Sequence, residues 1–125
     1  MQPKVVFGNA NVDGASRWGW FVGHFVTLPN PRSTPDVEVK WTHHKAGDER
    51  KEWAMNEEAT TLSILIRGQF RLQLPDEEIL LSTEGDYAIW DPGVSHCWTA
   101  ELDSTILTVR WPSKPGDSVA TSEAS

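Results

Sequence analysis

Histidine is the residue type in this chain best suited to chemistry, and three of the four histidines fall at two places. His43 and His44 are adjacent, and His96 follows a turn in the second half of the chain. A neutral imidazole binds divalent transition metals and exchanges protons near neutral pH. If the fold brings these two places together, the sequence predicts a metal site or an acid–base site there.

A metal site would need at least one further ligand. A transition metal that keeps an open position for a substrate is held by three or more protein ligands in a fixed arrangement. One histidine of the adjacent pair and His96 supply two. The candidates for a third ligand are Glu49, Asp48, Glu52 and His24. The predicted metal set is therefore His43 or His44, His96 and a carboxylate such as Glu49, and the metal would be Fe, Mn, Ni or Zn.

β-Strands must position these side chains. In the stretch that ends at the histidine pair, Val39, Trp41 and His43 alternate with polar residues and share one face of a predicted strand. Neighbours on a strand point to opposite faces, so only one of His43 and His44 can face the interior. The alternation favours His43.

Similar strand-like stretches run through most of the chain, separated by turns that contain Gly, Pro or Asp. The predicted strands are 18–26, 37–43, 60–66, 70–74, 79–81, 87–90, 96–100 and 105–111. Short strands at a spacing of about ten residues are typical of a β-sandwich or barrel. Residues 45–58 are charged and have no strand period, so they are predicted to be a long loop. We expect an N-terminal arm (1–17), a barrel (18–112) and a disordered tail (113–125).

The turn before His96 carries the most specific pattern in the chain. Its spacing resembles the second signature of the cupin superfamily, G-x5-P-x-G-x2-H-x3-N, with Gly85, Gly93 and His96 in register. Asp91 stands where the signature has proline, and Ala100 stands where it has asparagine. The resemblance implies an all-β fold, a double-stranded antiparallel β-barrel of jelly-roll type. It also implies a barrel mouth that commonly holds a metal on three histidines and a glutamate.

The first cupin signature, G-x5-H-x-H-x3,4-E-x6-G, is matched less well. When Gly68 is aligned with its last glycine, Thr61 stands where the signature has the glutamate. The adjacent His43 and His44 replace the alternating histidines, and the final histidine of the signature aligns more simply with His44. The resemblance covers roughly residues 36–111 and implies a metal site that has been partly lost.

The remaining candidates are residues that could bind a small ligand. Aromatic rings give a stacking wall for a flat or sugar-like molecule, and Trp41, Tyr87 and Trp98 are the candidates for it. Thr61 takes the place of the glutamate in the motif. Arg110, on the last predicted strand, could bind an anion, although a surface ion pair is the commoner role for such an arginine.

Composition limits the classes of partner. The chain of 125 residues is long enough for one domain. Its net charge of −7 argues against nucleic acid and anionic membranes, which select basic surfaces. The single cysteine, Cys97, allows no internal disulfide, which is typical of a cytoplasmic protein. A homodimer is expected by resemblance.

We therefore expect a small cupin that binds a small polar organic ligand in the barrel mouth, at a partly lost metal site. The alternative is a metal-dependent cupin enzyme of the oxygenase, isomerase or lyase type. Loss of the glutamate and of the alternating histidines favours the first, and the two retained histidine positions favour the second.

Overall fold

Two antiparallel five-stranded sheets face each other in the computed structural model, which describes residues 4–121. The strands are β1 Trp20–Val22, β2 Glu38–His44, β3 Glu49–Asn56, β4 Thr60–Arg67, β5 Phe70–Leu74, β6 Glu77–Leu81, β7 Tyr87–Trp90, β8 His96–Ala100, β9 Ser104–Trp111 and β10 Ser118–Ala120. One sheet has the order β1-β2-β9-β4-β7 and the other the order β10-β3-β8-β5-β6. The all-β antiparallel barrel predicted from the sequence is confirmed.

The hydrophobic core lies between the sheets at the end formed by β5, β6 and β8. It contains Leu65, Phe70, Leu72, Leu81, Ala88, Trp90, Ala100 and Ile106. Beyond this core the inner faces of β2, β4 and β9 carry polar side chains. On β4, for example, the buried residues Thr61 and Ser63 precede Leu65. The interior is therefore apolar at one end and polar at the other.

The prediction of a loop at residues 45–58 was wrong. Strand β3 occupies most of this stretch and pairs with β8 on one side and β10 on the other. The alternation is hidden in the sequence because the register shifts between Arg50 and Ala54, and because Arg50 and Asn56 are partly or fully buried although they are polar.

The predicted disorder of residues 113–125 was also wrong for the part that the structure describes. Residues 118–120 form β10, and the buried Asp117 anchors them to the end of β3. Its carboxylate accepts hydrogen bonds from the Asn56 side chain (3.1 Å) and from the backbone N–H groups of Glu58 (2.7 Å) and Ala59 (3.1 Å). Residues 122–125 lie outside the described residues.

The N-terminal region also differs from expectation. The predicted strand at 18–26 shortens to β1, since Trp18, Gly19 and Gly23 all have positive φ angles that end a strand. Before it come a short helix, α1 Ala10–Asp13, and a 3₁₀ turn, Ala15–Arg17. Residues 1–3 of the predicted arm lie outside the described residues. No helix in the described part is long and apolar enough to cross a membrane.

Candidate functional site

A cavity of about 40 Å³ lies between the two sheets at the polar end of the interior. Nine of its lining residues are polar: Lys40, Thr42, His44, Arg50, Thr61, Ser63, His96, Thr108 and Arg110. The apolar lining residues are Phe70, Leu72, Trp90, Trp98 and Ile106. His44, Arg50 and Trp98 are half-buried, whereas Thr61 and His96 are buried. The cavity therefore extends inward from the side that reaches solvent.

Strand register explains why these polar residues meet. On β2, Lys40, Thr42 and His44 occupy alternate positions and point into the barrel. Lys40 on β2 is paired with Thr108 on β9. On the other side of β9 lies β4, where Thr61 is paired with Arg110 of β9. One inner surface of three neighbouring strands is therefore polar along its length.

The structure places His44, and not His43, on the cavity wall. The alternation argument gave the wrong face because the apolar residues of β2, Val39 and Trp41, lie on the outside of the barrel with His43. There, the His43 imidazole is hydrogen-bonded through Nδ1 to Thr105 Oγ1 and through Nε2 to Asn11 Oδ1, both at 2.8 Å.

His96 lies where the turn signature predicted, on the wall of the cavity. Its ring packs against Trp90 with the centroids 4.9 Å apart, and its Nδ1 lies 3.1 Å from the Val94 carbonyl oxygen. Because a carbonyl can only accept, Nδ1 carries the hydrogen and Nε2 of the neutral ring carries a free lone pair. Burial lowers the pKa of His96 to about 4, so the imidazole is neutral at pH 7.

His44 is held by aromatic contacts. Its ring centroid lies 4.3 Å from that of Trp98 and 5.5 Å from that of Phe70. Burial, reinforced by the nearby Lys40 ammonium, lowers the pKa of His44 to about 4. Both cavity histidines therefore offer hydrogen-bond acceptors and carry no charge at neutral pH.

Three cationic side chains line the same cavity. The side chain of Arg110 is 11% exposed, and its Nη1 lies 3.6 Å from Oε2 of Glu38. Lys40 contacts the Trp20 ring, with Nζ 5.1 Å from the centroid; burial, and secondarily Arg110 and Arg50, lowers the pKa of Lys40 to about 7. The side chain of Arg50, on β3, has no hydrogen-bond or ion-pair partner within residues 4–121.

Three residues that line the cavity each have a buried side-chain atom without a hydrogen-bond partner within residues 4–121: Thr61 Oγ1, Trp90 Nε1 and Arg110 Nε. Leaving such a group unpaired costs about 1–3 kcal/mol, and more when the group is charged. Nearly all buried polar groups in native proteins are therefore paired with protein, water or ligand. Two of the three atoms are N–H donors, so the cavity is built to hold an acceptor.

The residues of the cavity do not fit a divalent metal. His44 and His96 are the only two cavity residues of the types that usually bind such ions, and residues 4–121 contain no cluster of three or more His, Cys, Asp or Glu residues. Thr61 occupies the position of the glutamate ligand in the cupin motif. Lys40, Arg50 and Arg110 would also repel a dication.

Several predicted site residues lie elsewhere. Glu49 is on the surface, with an oxygen 3.3 Å from Lys51 Nζ. Trp41 lies on the outer face of the barrel, where its ring meets that of His43 edge to face. Tyr87 is 62% exposed on the outer face of β7. His24 lines a separate cavity and is hydrogen-bonded to Ser113.

Of the predicted ligand-binding residues, Thr61, Trp98 and Arg110 line the cavity. Two residues of the cavity, Lys40 and Arg50, were not predicted from the sequence. Lys40 could have been, because alternation along β2 places it on the same face as His44. Arg50 had no such signal, because its strand was not recognised.

The chain has neighbours among solved structures, but no protein-family model and no curated protein matches it. An uncharacterised conserved protein with a double-stranded β-helix domain from Klebsiella pneumoniae is 20% identical, with coverage of 72% of this chain and 78% of that chain and a TM-score of 0.63. KdgF from Halomonas sp. is 23% identical, with coverage of 66% and 74% and a TM-score of 0.59. A cupin superfamily protein from Desulfitobacterium hafniense is 14% identical, with coverage of 63% and 70% and a TM-score of 0.58. At identities this low, the structural similarity shows a shared fold alone.

Proposed function

Since the chain has the cupin fold, we propose that it binds a small polar organic ligand inside the barrel through its own side chains, without a transition metal. The observation that carries this proposal is the set of unpaired buried atoms on the cavity wall, Thr61 Oγ1, Trp90 Nε1 and Arg110 Nε. A ligand that supplies acceptors to these atoms would remove the free-energy cost of leaving them unpaired.

The wall also offers acceptors. Nε2 of the neutral His96 ring has a free lone pair, and neutral His44 stands beside Trp98 on the side that reaches solvent. A ligand that carries both acceptor oxygens and a hydroxyl would therefore find partners for both, while Trp98 and Phe70, whose rings stack at a centroid distance of 5.2 Å, give it an apolar wall.

The proposal can be tested by NMR with a panel of hydroxy acids, sugars, amides and amines. We expect at least one compound to shift the indole N–H resonance of Trp90 in a saturable manner. Trp18, which is 88% exposed and does not line the cavity, provides an internal control. A panel in which no compound moves cavity resonances would count against the proposal.

Elemental analysis tests the alternative, a metal-dependent enzyme. We expect purified protein to hold no stoichiometric Fe, Mn, Ni or Zn. One equivalent of any of them in the wild type, lost in His96→Ala but kept in His43→Ala, would overturn the metal-free proposal and establish a site at the cavity histidine.

A further inference from the structure

We infer that the ligand of the cavity is a small organic anion, whose carboxylate is bound by Lys40, Arg50 and Arg110. This inference rests on the proposed function and names the chemical class of its ligand. It goes beyond a general polar ligand because it requires a negative charge and assigns the groups that neutralise it.

The cavity carries more positive than negative charge. Lys40, Arg50 and Arg110 line one cavity. Of these three, only Arg110 has a carboxylate of residues 4–121 within ion-pair distance, that of Glu38. The Glu38 carboxylate is shared, since it also accepts a hydrogen bond of 2.7 Å from the Ser113 hydroxyl. The cavity therefore keeps an excess of positive charge, although the whole chain has a net charge of −7.

Two of the unpaired buried atoms are hydrogen-bond donors. Arg110 uses Nη1 towards Glu38 and leaves Nε buried and unpaired. The indole N–H of Trp90 is unpaired on the same wall and can only donate. Charge-assisted hydrogen bonds from guanidinium groups to carboxylates are stronger than neutral ones and have a geometry that suits two oxygens. An acceptor with a negative charge pairs with both donors and also balances the charge of the guanidinium group, whereas a neutral acceptor pairs with the donors and leaves that charge unbalanced.

The volume of the cavity limits the size of the anion. A single water occupies about 10–15 Å³ by this kind of measure, so a cavity of about 40 Å³ accommodates a carboxylate with one or two further atoms. Acetate and glycolate fit this description. A longer acid would leave its remainder near the half-buried Trp98 and His44, whereas a nucleotide is far too large.

The experiment compares acetate with acetamide, which has nearly the same shape and no charge. Each is titrated into the full-length protein at constant ionic strength, and the Trp90 indole N–H resonance is followed, with sodium chloride alone as a third titration. We expect saturable acetate binding at least about ten-fold tighter than that of acetamide, as expected for a charged hydrogen bond. This comparison needs no variant.

Two variants assign the site. Arg50→Gln is expected to weaken acetate binding about ten-fold or more, because it removes a charged donor. Lys51→Gln is the matched control: it is the next residue on β3, it loses the same charge, and its side chain is 80% exposed. Its effect should stay within about two-fold, as for a surface charge. Lys40→Gln provides a second cavity variant should Arg50→Gln not fold.

The outcomes separate the inference from the proposed function. If acetamide or chloride binds as tightly as acetate, or if Lys51→Gln weakens acetate binding as much as Arg50→Gln does, the inference is wrong. If acetamide binds at the cavity and acetate does not, the inference fails while polar ligand binding stands. If neither moves the cavity resonances, the inference is wrong, and the wider ligand panel decides on the proposed function.

Discussion

Because the imidazole of His96 is buried and neutral, its protonation should lower the stability of the protein. Its pKa is about 4 in the folded protein and 6.5 in its ordinary state. Between these values the unfolded chain binds a proton that the folded chain does not, so the free energy of unfolding falls as the pH falls from 6.5 to 4. The shift corresponds to roughly 3 kcal/mol.

This predicts that wild-type protein loses stability to urea between pH 7 and pH 4.5 and that His96→Gln loses less, keeping the part that His44 contributes, since burial also lowers the pKa of His44 to about 4. Glutamine keeps an amide that can donate to the Val94 carbonyl and cannot be protonated in this range. His43→Gln is the control, because His43 is exposed on the outer face of β2, and this variant should retain the wild-type pH dependence. A loss of equal size in His96→Gln would contradict the buried neutral imidazole.

Lys40 should change the stability in the same direction, but at higher pH. Its pKa is about 7 in the folded protein and 10.5 ordinarily, so the unfolded chain holds the extra proton between these values and stability rises with pH. We expect Lys40→Met to stabilise the protein more at pH 6 than at pH 10. Lys51→Met removes an exposed lysine and is the control, and its urea unfolding should show no such difference between the two pH values. The same effect of Lys40→Met at both pH values would show that the Lys40 ammonium is well solvated.

At the scale of elements, strands with a regular alternation of apolar and polar residues could be predicted from the sequence, whereas β3, whose register shifts between Arg50 and Ala54, could not. Strand β5 alternates as Phe70, Leu72 and Leu74, and the turn motif before His96 fixed the place of β8. On β2 the hydrophobic residues face outward, since the cavity needs Lys40 inside. The rule that places apolar residues inside fails at a polar cavity, which is why both the choice between the histidines and the whole of β3 were misread.

The C-terminal strand gives an element-scale prediction. Asp117→Ala removes the acceptor for three donors at the end of β3, and buried unpaired donors cost about 1–3 kcal/mol each. We expect a loss of at least about 2 kcal/mol in urea unfolding, and faster amide exchange in β3. Asp117→Asn, which keeps one oxygen, should lose less.

The control for this strand is Asp76→Ala, in the exposed turn between β5 and β6, which should be close to neutral. If the residues after Pro112 were disordered, as the sequence indicated, Asp117→Ala would be just as neutral. The comparison therefore tests the strand itself and not the general effect of losing an acidic residue.

At the scale of the whole molecule, one outer face remains apolar. The outward residues of β2, β9, β4 and β7 form two rows across the sheet. The rows are Val39, Val109, Leu62 and Ile89, and Trp41, Leu107, Ile64 and Tyr87. Their β7 ends are open to solvent, with Ile89 52% and Tyr87 62% exposed. A continuous apolar surface of this kind is uncommon on a monomer.

The predicted homodimer would use this face, because a second copy related by a two-fold axis presents the same rows and can bury about 800 Å² on each partner. We expect sedimentation equilibrium to give twice the mass of one chain and Ile89→Lys to give a monomer. Leu80→Lys is the matched control, on edge strand β6 of the other sheet and 41% exposed, and should remain dimeric.

A wild-type monomer would show that these rows are left open. Equal dissociation by both variants would show that the contact lies elsewhere, and in either case the cavity, on the opposite face of the same sheet, would be unaffected.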